Sequence, residues 1–130
     1  MLACLVLIGC SLEQTSEKKE WTFVDESESA GIYIDLDTIE RTGNTIRVQK
    51  LFEFSEKQDF EGNFYMSAVT YDEYDCENGK LRILQGILYS GNTGLGNNVR
   101  FTTAASDWRD IPPETTASTV RDIVCRLKKG

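Results

Sequence analysis

The chain has 130 residues, 21 acidic against 14 basic side chains, a net charge of −7, four cysteines and no histidine. An acidic chain without a basic stripe argues against nucleic acid as a partner and against electrostatic docking on anionic lipid. The missing histidine excludes Ser-His-Asp and Cys-His nucleophile systems, and the length suffices for one domain with a real core.

Residues 1–10 form an uncharged apolar run. A spanning helix needs about 20 residues, so this run is too short to cross a bilayer. It fits the apolar region of a signal peptide, about 7–15 residues; the alternative is a buried strand or short core helix. No Lys or Arg precedes the run, so the start is expected upstream or at a different Met. Leu7-Ile8-Gly9-Cys10 resembles the lipobox of bacterial lipoproteins. The resemblance implies cleavage before Cys10 and a diacylglyceryl group on its sulfur. Ser11 in the next position implies outer-membrane sorting, by analogy with enteric bacteria. Two or more acyl chains give stable anchoring where one is marginal. The expected organisation is a signal peptide over 1–9, a charged tether over 10–20 and a domain over 21–130.

Cys4 leaves with the signal peptide and Cys10 carries lipid. That leaves Cys76 and Cys125 in an exported domain, where a disulfide persists; the alternative is two free buried thiols. Zinc is disfavoured, because two cysteines without CxxC spacing and without histidine do not make a tetrahedral site.

Trp21-Thr22-Phe23-Val24 reads as a first strand and Ile32 to Leu36 as a second, with an acidic turn between them. Asp37 to Glu40 suits one helical turn capped by Asp37, and Gly43-Asn44 is a turn signal. Thr45 to Phe54 is a third strand with Ile46, Val48, Lys50, Phe52 and Phe54 on one face; Lys50 interrupts that face and suggests an outer end at a sheet edge. Glu56 to Asn63 reads as a polar loop. Phe64 to Cys76, Leu81 to Tyr89 and Val99 to Thr103 are three further strands, with a hairpin turn at Glu77-Asn78-Gly79. Short turns throughout favour an antiparallel meander. After Pro112-Pro113, Thr115 or Thr116 caps a helix, with Val120, Ile123, Val124 and Leu127 on one stripe and Cys125 at its margin.

Three groups of residues invite a site. The glycine-rich loop 91–98 lacks the helix N-terminus that phosphate binding needs, and reads as a flexible hairpin. The carboxylates Asp72, Glu73, Asp75 and Glu77 lack the tight Gly-containing loop of a calcium site, as do Asp35, Asp37 and Glu40, and both sets read as a solvated acidic face. The aromatics Phe64, Tyr65, Tyr71, Tyr74 and Tyr89 serve either core packing or an exposed binding surface. Alternation puts Tyr65 and Tyr71 opposite Phe64.

Trp21, Tyr33-Ile34-Asp35 with Thr38-Ile39 and Gly43, Tyr65 with Ser67, Asp75-Cys76, Tyr89-Ser90, Gly94, Trp108 with Ile111-Pro112, and Cys125 stand in a characteristic order. Over about 105 residues, from Trp21 to Cys125, this order resembles the bacterial surface-adhesin protein E-like family. The resemblance implies an α+β fold: a strongly curved antiparallel sheet of about six strands, with a C-terminal helix held on its concave face by a Cys76–Cys125 disulfide. It also implies a lipoprotein adhesin that binds host extracellular-matrix proteins such as vitronectin and laminin. The expected function is therefore a lipid-anchored envelope binding protein at the outer membrane, on its surface or its periplasmic face. The alternative is a periplasm-facing lipoprotein with a structural or stress-related role. Neither reading involves catalytic residues, a cofactor or a metal. An unpaired edge strand leaves monomer and dimer both open.

Overall fold

The structure, a computed structural model, describes residues 19–127. Cys10, the apolar run before it and most of the tether lie outside the described residues.

Seven strands form one antiparallel sheet: β1 Thr22–Glu26, β2 Ala30–Thr42, β3 Thr45–Phe60, β4 Asn63–Asp75, β5 Lys80–Tyr89, β6 Asn98–Thr102 and the two-residue β7 Arg109–Asp110. The order across the open, curled sheet is β1 to β6 in sequence, and β7 pairs with the start of β5. This is the expected meander. The seventh strand is too short to carry a sequence signal. Between β6 and β7 the chain stays on the β5 edge, where the Ser106 amide donates to the Ile83 carbonyl at 2.8 Å.

Turn chemistry sets the hairpins. Gly43 opens a two-residue loop at φ 63°, the conformation of a II′ turn, whose twist matches the strands it joins. Glu61 and Gly62 both take positive φ, 52° and 87°, as a I′ turn requires. The stretch expected to be a polar loop over 56–63 is therefore strand on both sides of a two-residue turn. Gln58, Asp59 and Phe60 pair with Tyr65, Phe64 and Asn63 across this turn, while Glu56 and Lys57 fall in a register shift between Glu53 and Gln58, and composition alone reads the whole polar run as loop.

The expected helical turn at Asp37–Glu40 is likewise corrected: it belongs to β2. The register with β3 slips between Asp35 and Glu40. The local turn chemistry is real. Asp35 Oδ1 accepts from the Asp37 amide at 3.1 Å, and Thr38 Oγ1 donates to the Asp35 carbonyl at 2.7 Å. Thr38 Oγ1 also accepts from the Gln49 amide at 2.9 Å. A side chain thus stands in for the missing ladder partner, so a bulge is tolerated where a helix nucleus would leave the sheet.

Helix α1, Thr116–Leu127, covers one face of the sheet. Thr115 Oγ1 accepts from the Ser118 amide, and Ser118 Oγ accepts from the Thr115 amide, a reciprocal N-terminal cap. Val120 and Val124 are fully buried with Ile32, Ile34, Ile46 and Val48. Leu127, expected on the same stripe, is 55% exposed and stands outside the buried core that Val120 and Val124 join. Cys76, in the β4–β5 turn, and Cys125, in the last helical turn, form a disulfide with Cα atoms 5.9 Å apart.

Lys50 corrects another expectation. It sits in β3 between β2 and β4, away from any edge, and is 4% exposed. Its Nζ lies 2.7 Å from Asp72 Oδ2 and 4.8 Å from the Phe52 ring centre. Asp72 is fully buried and also accepts from the Tyr74 hydroxyl at 3.1 Å. Asp35, Asp72 and Glu73 are all buried, so the acidic positions do not form one solvated face. Each survives burial by pairing with a cation: Asp72 with Lys50, Glu73 with Arg47 and Arg82, and Asp35 with Lys19.

Candidate functional site on the helix-free face

Strand alternation sends the residues next to the helix-side core onto the opposite face. The register lines them up in rows. Phe23 pairs with Tyr33, Tyr33 with Leu51, Leu51 with Val69, Val69 with Ile87, and Ile87 with Phe101. One apolar belt therefore crosses all six main strands. Its middle is covered, with Leu51 1% exposed, while its ends are open, with Phe23 at 53% and Phe101 at 55%. Phe23 packs edge-on against Tyr33, ring centres 5.4 Å apart.

Toward the Cys76 end the same face turns polar. Gln49, Tyr71 and Gln85 make the next row, and Arg47, Glu73 and Arg82 the row after it. Glu73 accepts from Arg82 at 2.9 Å and from Arg47 at 3.4 Å, and the Arg82 guanidinium lies 4.5 Å from the Trp108 ring centre. Burial raises the Glu73 pKa. Hydrogen bonds from Arg82 and Thr45 and the charges of both arginines outweigh it, so the carboxyl titrates below its usual range. Tyr71 is pushed up, first by burial and then by the Glu40 carboxylate, which its hydroxyl reaches at 3.4 Å.

The glycine-rich loop is not a free hairpin. It folds back over the belt and is pinned there. The Glu53 carboxylate accepts from the Thr93 amide at 2.7 Å, from Thr93 Oγ1 at 2.6 Å and from Asn92 Nδ2 at 3.3 Å. The buried Ser67 hydroxyl donates to the Gly91 carbonyl at 2.7 Å and accepts from the Gly94 amide at 2.9 Å. Gly94, at φ 69°, lies so close to the sheet that a Cβ would come within 3.3 Å of Val69. Both the conformation and the space call for glycine.

Between this loop and the N-terminal segment lies a pocket of about 350 Å³. Val69, Ile87 and Leu95 line it together with Trp21, Tyr89 and Gln49. Lys19 also lines it, held by Asp35 at 2.8 Å and lying 5.7 Å from the Trp21 ring centre.

The expected aromatic set divides. Tyr74 is core, its hydroxyl on Asp72, and burial first and Asp72 second drive its pKa well above the ordinary tyrosine value. Tyr65 packs against Phe54 at 5.6 Å, Tyr89 lines the pocket, and Phe64 is exposed beneath Lys57. Sequence reasoning missed Leu51, Val69, Ile87 and Glu53. A signal was present: in β3 to β5 both alternation sets are apolar near the strand centre, which marks a sheet covered on both faces. Among the described residues no three Cys, Asp or Glu side chains converge to hold a metal, and no helix is long and apolar enough to cross a membrane.

The surface-adhesin protein E family model matches residues 21–126. No curated protein matches the sequence. Crystal form II of Haemophilus influenzae protein E superposes with a TM-score of 0.68 at 13% identity, covering 98% of this chain and 100% of that one. Another structure of Haemophilus influenzae protein E gives 0.65 at 14% identity, covering 94% and 92%. A third, from a non-typeable strain, gives 0.59 at 14% identity, covering 93% and 82%. At these identities the structures are similar in fold.

Proposed function

The chain belongs to the surface-adhesin protein E family, and from that membership we propose that it is a non-enzymatic binding protein of the bacterial cell envelope, an adhesin whose partner is a host extracellular-matrix protein. In this reading Cys10 carries the lipid anchor, residues 10–20 are the tether and residues 21–130 the binding domain. Helix α1 occupies the concave face of the curled sheet, which leaves the other face for the partner.

One observation carries the reading: the apolar belt on the helix-free face ends in two exposed rings, Phe23 and Phe101. Exposed aromatics beside covered apolar surface are the usual anchors of a protein interface. A matrix partner requires outward display. Protease and antibody access to the domain on intact cells, compared with permeabilised cells, tests it. Access on intact cells together with saturable binding to immobilised vitronectin or laminin supports the adhesin. Protection until permeabilisation overturns it in favour of a periplasm-facing accessory lipoprotein.

A further inference from the structure

The pocket behind the glycine-rich loop is not needed for protein binding through the belt's exposed ends, and its chemistry points elsewhere. Val69, Ile87 and Leu95 supply branched aliphatic lining, flanked by Trp21 and Tyr89. Its volume of about 350 Å³ is near the lower end of small-ligand pockets, about 300–1,000 Å³. That suits one medium-length chain and excludes a whole bilayer lipid.

Two observations define the head group. Lys19, the one cation among the described residues lining the pocket, is already paired with Asp35 at 2.8 Å, and Glu53 lies on the adjoining loop contact. No net positive charge remains for a carboxylate, and the chain's charge of −7 adds repulsion. Gln49 lines the same pocket, and its Oε1 is buried with no hydrogen-bond partner. A buried acceptor without a donor bears an uncompensated desolvation cost, which a ligand hydroxyl relieves when the amide turns toward it.

We propose that this pocket binds an uncharged single-chain amphiphile with a hydroxyl-bearing head, of the monoacylglycerol class. The tail lies against Val69, Ile87 and Leu95, and the head hydroxyl donates to the Gln49 amide oxygen.

The test is a methyl-resolved NMR titration of full-length, unlipidated protein with monodecanoin below its aggregation concentration. Saturable shifts are expected at Val69, Ile87, Leu95 and the Trp21 indole, and none at Val120 or Val124 across the sheet. Decanoate is expected to bind more weakly than monodecanoin. Gln49→Leu is expected to weaken monodecanoin by about threefold to tenfold, the value of one neutral hydrogen bond, while leaving methyl decanoate, which has no donor, unchanged. Leu95→Glu, at an exposed loop position, is expected to abolish binding with the rest of the spectrum retained. Non-saturating shifts spread over both faces, decanoate binding as well as monodecanoin, or an equal effect of Gln49→Leu on both neutral ligands would each overturn the proposal.

Discussion

Lys50 Nζ and Asp72 Oδ2 meet at 2.7 Å on the helix-side face of the two central strands, with both side chains almost wholly removed from water. Lys50 lies diagonally across the ladder from Asp72: its direct partner is Thr70, and that of Asp72 is Val48. Such a pair is costly to desolvate and costlier to break. Lys50→Met strands a buried carboxylate and is expected to destabilise the fold by about 3–5 kcal/mol. Lys50→Met with Asp72→Asn is expected to cost much less than the two single changes added. Urea denaturation of the four proteins in this cycle measures the coupling; additive losses would show that the pair does not act as a unit.

The carboxyl of Glu73 titrates below its unfolded value, so it adds stability that is fully present above the ordinary carboxylate range, near pH 4.3, and is lost as pH falls through its folded pKa. Glu73→Gln is expected to flatten the acid limb of a plot of unfolding free energy against pH. An unchanged acid limb would mean that the two arginines contribute nothing through this group.

Tyr74 gives the opposite sign. Burial and Asp72 raise its pKa, so its contribution is complete below the unfolded tyrosine pKa of about 10 and is lost as pH rises beyond it. Tyr74→Phe is expected to delay alkaline unfolding while lowering stability at neutral pH by about 1–3 kcal/mol, the cost of removing a hydrogen bond to a buried charge.

The Cys76–Cys125 bridge spans a sequence separation of 49. The chain-entropy model assigns such a loop about 4 kcal/mol. Cys76→Ala with Cys125→Ala is expected to lose that amount in chemical denaturation, and oxidised protein should yield the linked peptide pair by mass spectrometry without reductant.

Glu53 holds the glycine-rich loop through charged hydrogen bonds, each worth about 1.5–3 kcal/mol. Glu53→Gln is expected to raise amide hydrogen exchange at Thr93 by about tenfold or more, with little change in β3 and β4. Equal protection in the variant would show that Ser67 alone retains the loop.

Much of the ladder was legible because its signals are local. Glu77-Asn78-Gly79 and Gly43-Asn44 announce hairpins by their own dihedral needs, and Ile46 and Val48 announce a covered face by their spacing. Glu61-Gly62 was hidden by its neighbours: the polar residues of a hairpin tip look the same whether they are paired or not. Asp37–Glu40 misled for the converse reason. Its turn bonds form as their composition suggests, but tertiary pairing with β3 keeps the chain extended around them.

From its sequence alone the chain is determined as an acidic, histidine-free antiparallel meander ending in a capped helix, with one pair of cysteines in its domain. These properties follow from charge count, side-chain period and turn chemistry, each confined to a few neighbouring residues. Only the tertiary structure decided which carboxylates are buried, since the cations that offset their desolvation come from other strands or, for Asp35, from Lys19 ahead of β1. It alone placed the glycine-rich loop on the sheet, because Glu53 and Ser67 reach that loop from strands far back in the chain. It also built the belt from Phe23 to Phe101, because a cross-strand row exists only once the register of six strands is set.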